Sequence, residues 1–404
     1  MLIKLAILLT HPVQYFAPVF RELAQQPNLQ LKVFFGCNHG VIPREDPNFG
    51  VVFQWDCQPT AGFEHEFLSH NSLEDLKGLR GIKLAAKAFT AINHYQPDAV
   101  LIFAYSPTFI TVSTLLLCLT GHKLMLRAET TDEALSRSYI KDKIRQLSLS
   151  LYYRQFTHFF PIGTDSINHY LRMGVDKSRM TLAHYAIDIQ FFQKQVDFWL
   201  PQRETLRNQL GIAKTDRVLM YCGKIFPPKD PLLIPKAFTL LPVSGKNNLW
   251  LLAIGEGEMR SQFEKLSKEE LGARAIFFGF KNQSELGKYY AIADALILPS
   301  KSGETWGLVV NEALQFGLKV ILSDRVGSGK DLIKSRQYGE LFPHRNALKL
   351  SKCILNVNNY KKKDYSLKKL DLPHPNQLAH KIYNLLNKTC ISQASLPHIN
   401  ESIK

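Results

Sequence analysis

The stretch from Gly303 to Gly317, GETWGLVVNEALQFG, sets Glu304 and Glu312 eight positions apart. The apolar run ALILPS ahead of it reads as a strand ending at Ser300. After the loop KSGET a helix is expected from about Trp306 to Phe316, with Gly317 as its stop. Glu304 then lies on the loop and Glu312 inside the helix. The amides of Thr305, Trp306, Gly307 and Leu308 have no intrahelical carbonyl to bind, so this helix start is a seat for a diphosphate. Glu312 would lie roughly 7 Å along the axis from that seat, at about 1.5 Å per residue. Carboxylates accept hydrogen bonds from vicinal hydroxyls in pairs. A nucleotide-sugar suits the layout: phosphates at the helix start, ribose toward Glu312, sugar hydroxyls toward Glu304. Two glutamates at some spacing occur in any long chain; their placement behind a strand and across a helix start gives these two meaning.

The elements that must position them follow a regular order. Short apolar runs recur, each followed by a segment of helical period: KLAILLT, LQLKVFFG, AVLIFA, KLMLRAE and HFFPIG, then RVLMYCGKI, LWLLAIGEG, AIFFGF, ALILPS and KVILSD. Near-continuous hydrophobic strands alternating with helices imply parallel sheets covered on both faces. The fold class expected is α/β, with two doubly wound, Rossmann-like domains facing each other across a cleft. A length of 404 residues suits two cores. The expected division is a first domain over 1–190, a polar linker over 191–210, a second domain over 211–385, and a tail over 386–404 that could pack back on the first domain. Ligands of open α/β sheets sit at the carboxyl ends of the strands, which directs attention to the cleft-facing loops.

Composition excludes several classes. With 45% hydrophobic and 21% charged residues the chain is globular rather than disordered. The N-terminal MLIKLAILLTHPVQYF reads as a first buried strand, not a signal peptide, and FITVSTLLLCLTG falls short of a membrane span. Six cysteines without Cys-x-x-Cys spacing suggest neither disulfides nor zinc, and point to a reducing cytoplasm. A net charge of +15 implies an anionic partner.

The segment SGETWGLVVNEALQFGLKVILSD resembles the nucleotide-sugar signature of retaining GT-B glycosyltransferases of family 4, the group 1 glycosyl transferases. The resemblance implies transfer of a sugar from a nucleoside-diphosphate sugar to an acceptor hydroxyl, with Glu304 positioning the donor sugar and Glu312 the ribose. YCGKIFPPKDP is similar to the family's basic pair on the donor diphosphate, which assigns Lys224 and Lys229 beside Gly223. Lys224 stands where the family usually has Arg, and so loses the bidentate fork. AIGEGEMR, with Gly255 and Gly257, looks like the next donor loop, and Phe280 and Lys281 after Gly279 are implied beside the base. HYAIDIQFF is similar to the family's segment at the end of the first domain; Asp188 and Phe192 keep its frame, while His184, Tyr185 and Ala186 depart from it. No metal and no cofactor is implied, the nucleotide-sugar itself being the donor substrate, and no Asp-x-Asp pair for a divalent ion is present.

Elsewhere the pattern departs. Where family members commonly carry a His, the strand KLMLRAET has Glu129, with Arg127 two residues earlier. Glu129 would orient an acceptor hydroxyl or take its proton; the alternative is a surface pair with Arg127. His11, in THPVQYFAP, would contact the donor phosphate or the acceptor, or else cap the following helix. GSGKD at Gly327–Asp331 lacks the earlier Gly and the Ser/Thr of a P-loop.

Two basic stripes are expected on helices of the first domain. One is Lys77, Arg80, Lys83 and Lys87; the other is Arg137, Lys141 and Arg145, opposite the apolar series Ile140, Ile144, Leu147 and Leu151. They suit either plain solvation or peripheral docking on an anionic membrane surface at the inner face of the membrane, as does NNYKKKDYSLKK. No stacking-aromatic motif accompanies them, so nucleic acid is not an expected partner. The acceptor expected is a glycan or a lipid-linked precursor. The rival readings are a nucleotide-sugar epimerase on the same architecture and a non-catalytic nucleotide-sugar-binding subunit.

Overall fold

The computed structural model describes residues 2–46, 51–132, 138–334, 336, 338–357 and 372–394. The stretch NNYKKKDYSLKK and Arg137 lie outside the described residues. Twelve strands form two parallel sheets. The first holds β1 (Ile3–Leu9), β2 (Leu29–Phe35), β5 (Glu64–Phe67), β6 (Ala99–Ile102), β7 (Leu124–Leu126) and β8 (His158–Phe159), in the order β5-β2-β1-β6-β7-β8. The second holds β9 (Arg217–Cys222), β10 (Leu249–Ile254), β11 (Ala275–Phe277), β12 (Ala295–Leu298), β13 (Lys319–Ser323) and β14 (Gly339–Phe342), in the order β11-β10-β9-β12-β13-β14. Between β2 and β5 an antiparallel pair, β3 (Arg44–Asp46) and β4 (Val51–Phe53), stands apart from both.

Within each domain the two orders are the same, with the first strand at the centre, the next two on one side and the last three on the other. The chain therefore reverses direction between β1 and β6 and between β9 and β12, and a crevice opens at each reversal. Side chains such as Leu5, Ile7, Leu101, Leu219 and Ile297 are fully buried, as strands covered on both faces require. Two strands of the parallel sheets had no apolar run to announce them. β5 is an edge strand whose Glu64 and Glu66 pair with Lys32 of β2 at 3.4 and 3.1 Å, and β14, Gly-Glu-Leu-Phe, buries Phe342 but leaves Leu341 exposed.

The expected linker, 191–210, is largely helical. The helices Ile189–Trp199 and Arg203–Gln209 pack on the helix Gln283–Ile292, and Arg203 and Arg207 reach Asp294 at 2.6 and 3.3 Å. Asp188 begins the first of them by accepting from the Phe191 amide at 3.0 Å, while its other oxygen takes Arg21 of the first domain at 2.9 Å. Phe192 is fully buried in the second core.

After Leu372 the chain returns to the first domain. Leu378, Ala379, Ile382 and Leu386 of the helix Pro375–Ala394 are buried against the helix Ala17–Ala24 and β1. The Tyr383 hydroxyl donates to Pro27 O at 3.0 Å and Lys381 Nζ to Leu182 O at 2.8 Å. Ile382 is fully buried there, so Ile382→Ala should cost about 2–5 kcal/mol of stability in denaturant unfolding; a cost under about 0.5 kcal/mol would mean that this helix is not part of the first core.

Candidate active site

The loops after β9 and β12 meet. Lys229 ends a tight turn, Pro227–Lys229, and Pro228 O accepts the amides of Lys301 at 2.9 Å and Ser302 at 3.3 Å from the other loop. This lacing brings the Lys229 ammonium onto the Glu304 carboxylate, which also accepts from Ser300 Oγ at 3.2 Å. Gly223, Gly255 and Gly279 line up at the ends of β9, β10 and β11: the Gly223 amide bonds Ile254 O at 3.0 Å and the Gly255 amide bonds Gly279 O at 2.8 Å. A Cβ on Gly255 would stand 2.0 Å from Gly223 O, so only glycine allows the approach. Gly257 faces Ile225 in the same way. Lys224 belongs to this loop, its carbonyl accepting from Tyr221 Oη at 2.7 Å. Phe280 and Lys281 follow β11, with Lys281 paired to Glu285 at 3.1 Å.

The helix behind Glu304 is Leu308–Gln315, with Gly307 at φ +87° just before it, so it starts two residues later than the sequence suggests. Trp306 is nearly fully buried. Its indole turns toward the first domain, between His184 and Tyr185, and donates to Asn311 Oδ1 at 2.9 Å. Only the main chain of Trp306 remains on the loop.

Glu312 is 0% exposed. Tyr290 Oη donates to one carboxylate oxygen at 2.7 Å and Tyr15 Oη, from the loop after β1, to the other at 3.0 Å. Burial raises the Glu312 carboxyl above its ordinary range, against the opposing pull of these hydrogen bonds and one from Gln283. Burial and the neighbouring carboxylate also push both phenols well up, which keeps them protonated as donors. Because Glu312 is fully buried, a ribose hydroxyl could reach it only if the groups packed over it, Tyr15 among them, moved aside.

Facing this arrangement, the first domain encloses a cavity of about 460 Å³ at the ends of β1, β6 and β7, lined by His11, Lys77, Tyr105, Arg127, Glu129 and Tyr185 among others. Glu129 accepts from Tyr185 Oη, and Thr305 Oγ1 approaches its second oxygen at 3.5 Å. Arg127 is buried; it donates to Ala183 O at 2.7 Å and Phe160 O at 3.4 Å and lies over the Tyr185 ring at 4.9 Å. Its hydrogen bonds go to carbonyls rather than to Glu129, and burial pulls its pKa down. His11 bonds Thr10 Oγ1 at 2.9 Å and packs edge-on against His39. It does not cap the next helix, which begins at Ala17 with Phe16 as its N-cap.

Residues 202–369 match the family model Glycosyl transferases group 1. The C-terminal domain belongs to that family. The lipopolysaccharide 1,2-N-acetylglucosaminetransferase of Salmonella typhimurium is 32% identical over 133 residues, 31% of this chain and 35% of that protein. The aligned part thus spans about a third of the length of the curated relatives it matches. Among solved structures, sucrose-phosphate synthase from Thermosynechococcus elongatus superposes with a TM-score of 0.68 at 17% identity, covering 96% of this chain and 100% of that one. Anabaena HepE in complex with UDP-glucose superposes at 0.61 and 15% identity, covering 97% and 100%. These two likenesses show the fold: GT-B, two Rossmann-like domains.

Sequence reasoning passed over the residues that tie the group 1 domain to its partner domain. Tyr15 and Tyr290 each stand beside a second aromatic, Phe16 and Tyr289, and nothing local marks which of the two reaches Glu312. GSGKD, which is no P-loop, is a clasp: Asp331 accepts from Thr164 N at 3.0 Å and Thr164 Oγ1 at 2.7 Å, and Lys330 pairs with Asp165 at 2.7 Å. On the far side Asn282 Nδ2 donates to Gln54 O at 3.2 Å and the Ser284 amide to Asp56 at 3.0 Å.

The Glu312 environment has a pH signature. With its pKa raised in the folded state, Glu312 holds a proton more tightly folded than unfolded. Its contribution is therefore largest below the unfolded value of about 4.3 and is lost as pH rises through the folded one. Glu312→Gln should gain on the wild type in melting temperature as pH goes from about 4 to 8; a difference between the two that stays constant across that range would contradict the assignment.

Proposed function

We propose that the protein is a retaining glycosyltransferase, moving a sugar from a nucleoside-diphosphate sugar to an acceptor hydroxyl held in the first-domain cavity. The observation that carries this reading is the junction of the β9 and β12 loops, where Lys229 and Glu304 meet opposite that cavity. In this reading 1–190 is the acceptor domain and 211–372 the donor domain, which ends before the expected residue 385 because the helix Pro375–Ala394 packs on the acceptor domain. Lys229 and Lys224 hold the diphosphate with the amides of Thr305 to Leu308; Gly223, Gly255 and Gly257 let it approach the backbone, and Phe280 and Lys281 flank the base. Glu304 takes sugar hydroxyls and Glu312 the ribose. The bond from the sugar's anomeric carbon to the diphosphate breaks as the acceptor oxygen bonds that carbon; the acceptor proton passes to Glu129, His11 or the departing phosphate.

A uridine nucleotide is the first donor to test, because HepE was solved with UDP-glucose. A glycan or lipid-linked acceptor for a surface polysaccharide is favoured by the lipopolysaccharide transferase among the relatives. A work site on the cytoplasmic face of a membrane fits that acceptor. Among the described residues no helix is long and apolar enough to cross a membrane, so contact there would be peripheral.

Two results test the reading. A selective donor at a hundredfold over its dissociation constant should stabilise the protein by about 2.7 kcal/mol in a thermal-shift panel of UDP-, GDP-, ADP- and dTDP-sugars. Lys229→Met should abolish that shift; no stabilisation of the wild type by any of them would remove the basis of the proposal, and conversion of the donor without acceptor would replace it with an epimerase. Tyr15→Phe removes a competitor for Glu312, whose hydrogen bond to a charged group is worth about 1.5–3 kcal/mol. It should tighten donor binding by about tenfold in calorimetry, whereas weaker binding would make Tyr15 a donor ligand itself.

A further inference from the structure

The helix Tyr139–Tyr153 is turned the opposite way from its sequence expectation. Ile140, Ile144, Leu147 and Leu151 do not face the core; they are 70%, 62%, 65% and 50% exposed, and Tyr139 beside them is 76% exposed. At about 100° per residue the four fall within roughly 60° of arc, a continuous apolar ridge pointing away from the protein. The inward side is Leu149 and Tyr153. Arg145, expected on an outward basic stripe, is instead 14% exposed and faces Asp132 at 3.3 Å.

That inward side is pinned. Asp132 accepts from Arg172 and His169, each at 2.7 Å, and Arg172 also holds Asp142 of the helix at 2.7 Å. Tyr152 Oη donates to Thr114 at 2.9 Å on the adjoining helix Thr108–Leu119, which exposes Leu115 and Leu119 in its turn. The ridge cannot roll inward without breaking these bonds.

The flanks identify the occupant. Lys141 and Lys143 are exposed on either side of the ridge, Lys143 lying 5.7 Å from the Tyr139 ring, and Arg154 is exposed at its end. The acidic residue of the helix, Asp142, is engaged by Arg172. An apolar ridge bordered by cations is the pattern of a helix that lies in a lipid interface. A second copy of the chain packed on the same ridge would bring two sets of Lys141, Lys143 and Arg154 into one interface with no acidic residue of the helix left to offset them, which like-charge repulsion disfavours.

We propose that the helix Tyr139–Tyr153 docks the protein on an anionic lipid surface, with Ile140, Ile144, Leu147 and Leu151 entering the apolar layer and Lys141 and Lys143 meeting the headgroups. This names the membrane contact left open in the proposed function. Arg145 of the helix pairs with Asp132, three residues beyond Glu129 of the cavity, so docking would set the acceptor cavity close to lipid-borne substrates.

The test is co-sedimentation of the full chain with vesicles of phosphatidylcholine alone or mixed with phosphatidylglycerol. Binding is expected only to the anionic vesicles. Ile144→Asn with Leu147→Asn, both exposed and so compatible with folding, should weaken it at least tenfold. Lys141→Gln with Lys143→Gln should weaken it by about fivefold per lysine. No binding to anionic vesicles, or binding that the ridge pair leaves unchanged, would overturn the proposal. So would a dimer in analytical ultracentrifugation that the ridge pair dissociates while vesicle binding persists. Nucleotide-sugar stabilisation read on the same variants separates the two ideas: donor binding without vesicle binding removes only the docking surface, and vesicle binding without donor binding removes only the transferase.

Discussion

A carboxylate cut off from water must find hydrogen-bond donors, and Glu312 finds two tyrosine hydroxyls from different domains. That one requirement orders much of the molecule. Tyr290 comes from the helix ahead of β12 and Tyr15 from the loop after β1, so satisfying Glu312 draws the two sheets' central crevices together. Further cross-domain contacts, among them Asn311 to Tyr185 and Asp331 to Thr164, add to it. Glu304 is compensated locally by Lys229. In the proposed reading a diphosphate would replace Glu304 as the partner of Lys229, and a ribose hydroxyl would replace Tyr15 on Glu312.

The architecture was legible because continuous apolar strands followed by amphipathic helices admit few other folds; ten strands appear where runs such as RVLMYC and KVILSD stand. β5 and β14 were not, since an edge strand like EHEF buries little and is held by ion pairs to Lys32 that no periodicity reveals. Positions for Glu304, Lys229 and the glycine loops were readable from local motifs because each is fixed by a strand end and the loop behind it. The environment of Glu312 was not: it depends on Tyr15, 297 positions away, and on how the domains close.

The inverted helix Tyr139–Tyr153 teaches a related lesson. A sequence with one apolar and one basic face is ordinarily resolved by burying the apolar one, yet Asp132, Arg172 and His169 supply a polar mount that outcompetes that choice. The net charge of +15 then has two distinct expressions: lysines at the loops after β9 and β11, held by short-range contacts to Glu304 and Glu285, and exposed lysines beside an apolar ridge, which act at longer range.

The most direct test of this account is a crystal structure with a bound nucleoside-diphosphate sugar. It should place a phosphate oxygen within hydrogen-bonding distance of Lys229 Nζ and a ribose hydroxyl on Glu312 where Tyr15 Oη now sits. A nucleotide bound elsewhere, with Tyr15 and Tyr290 both still on Glu312, would contradict it.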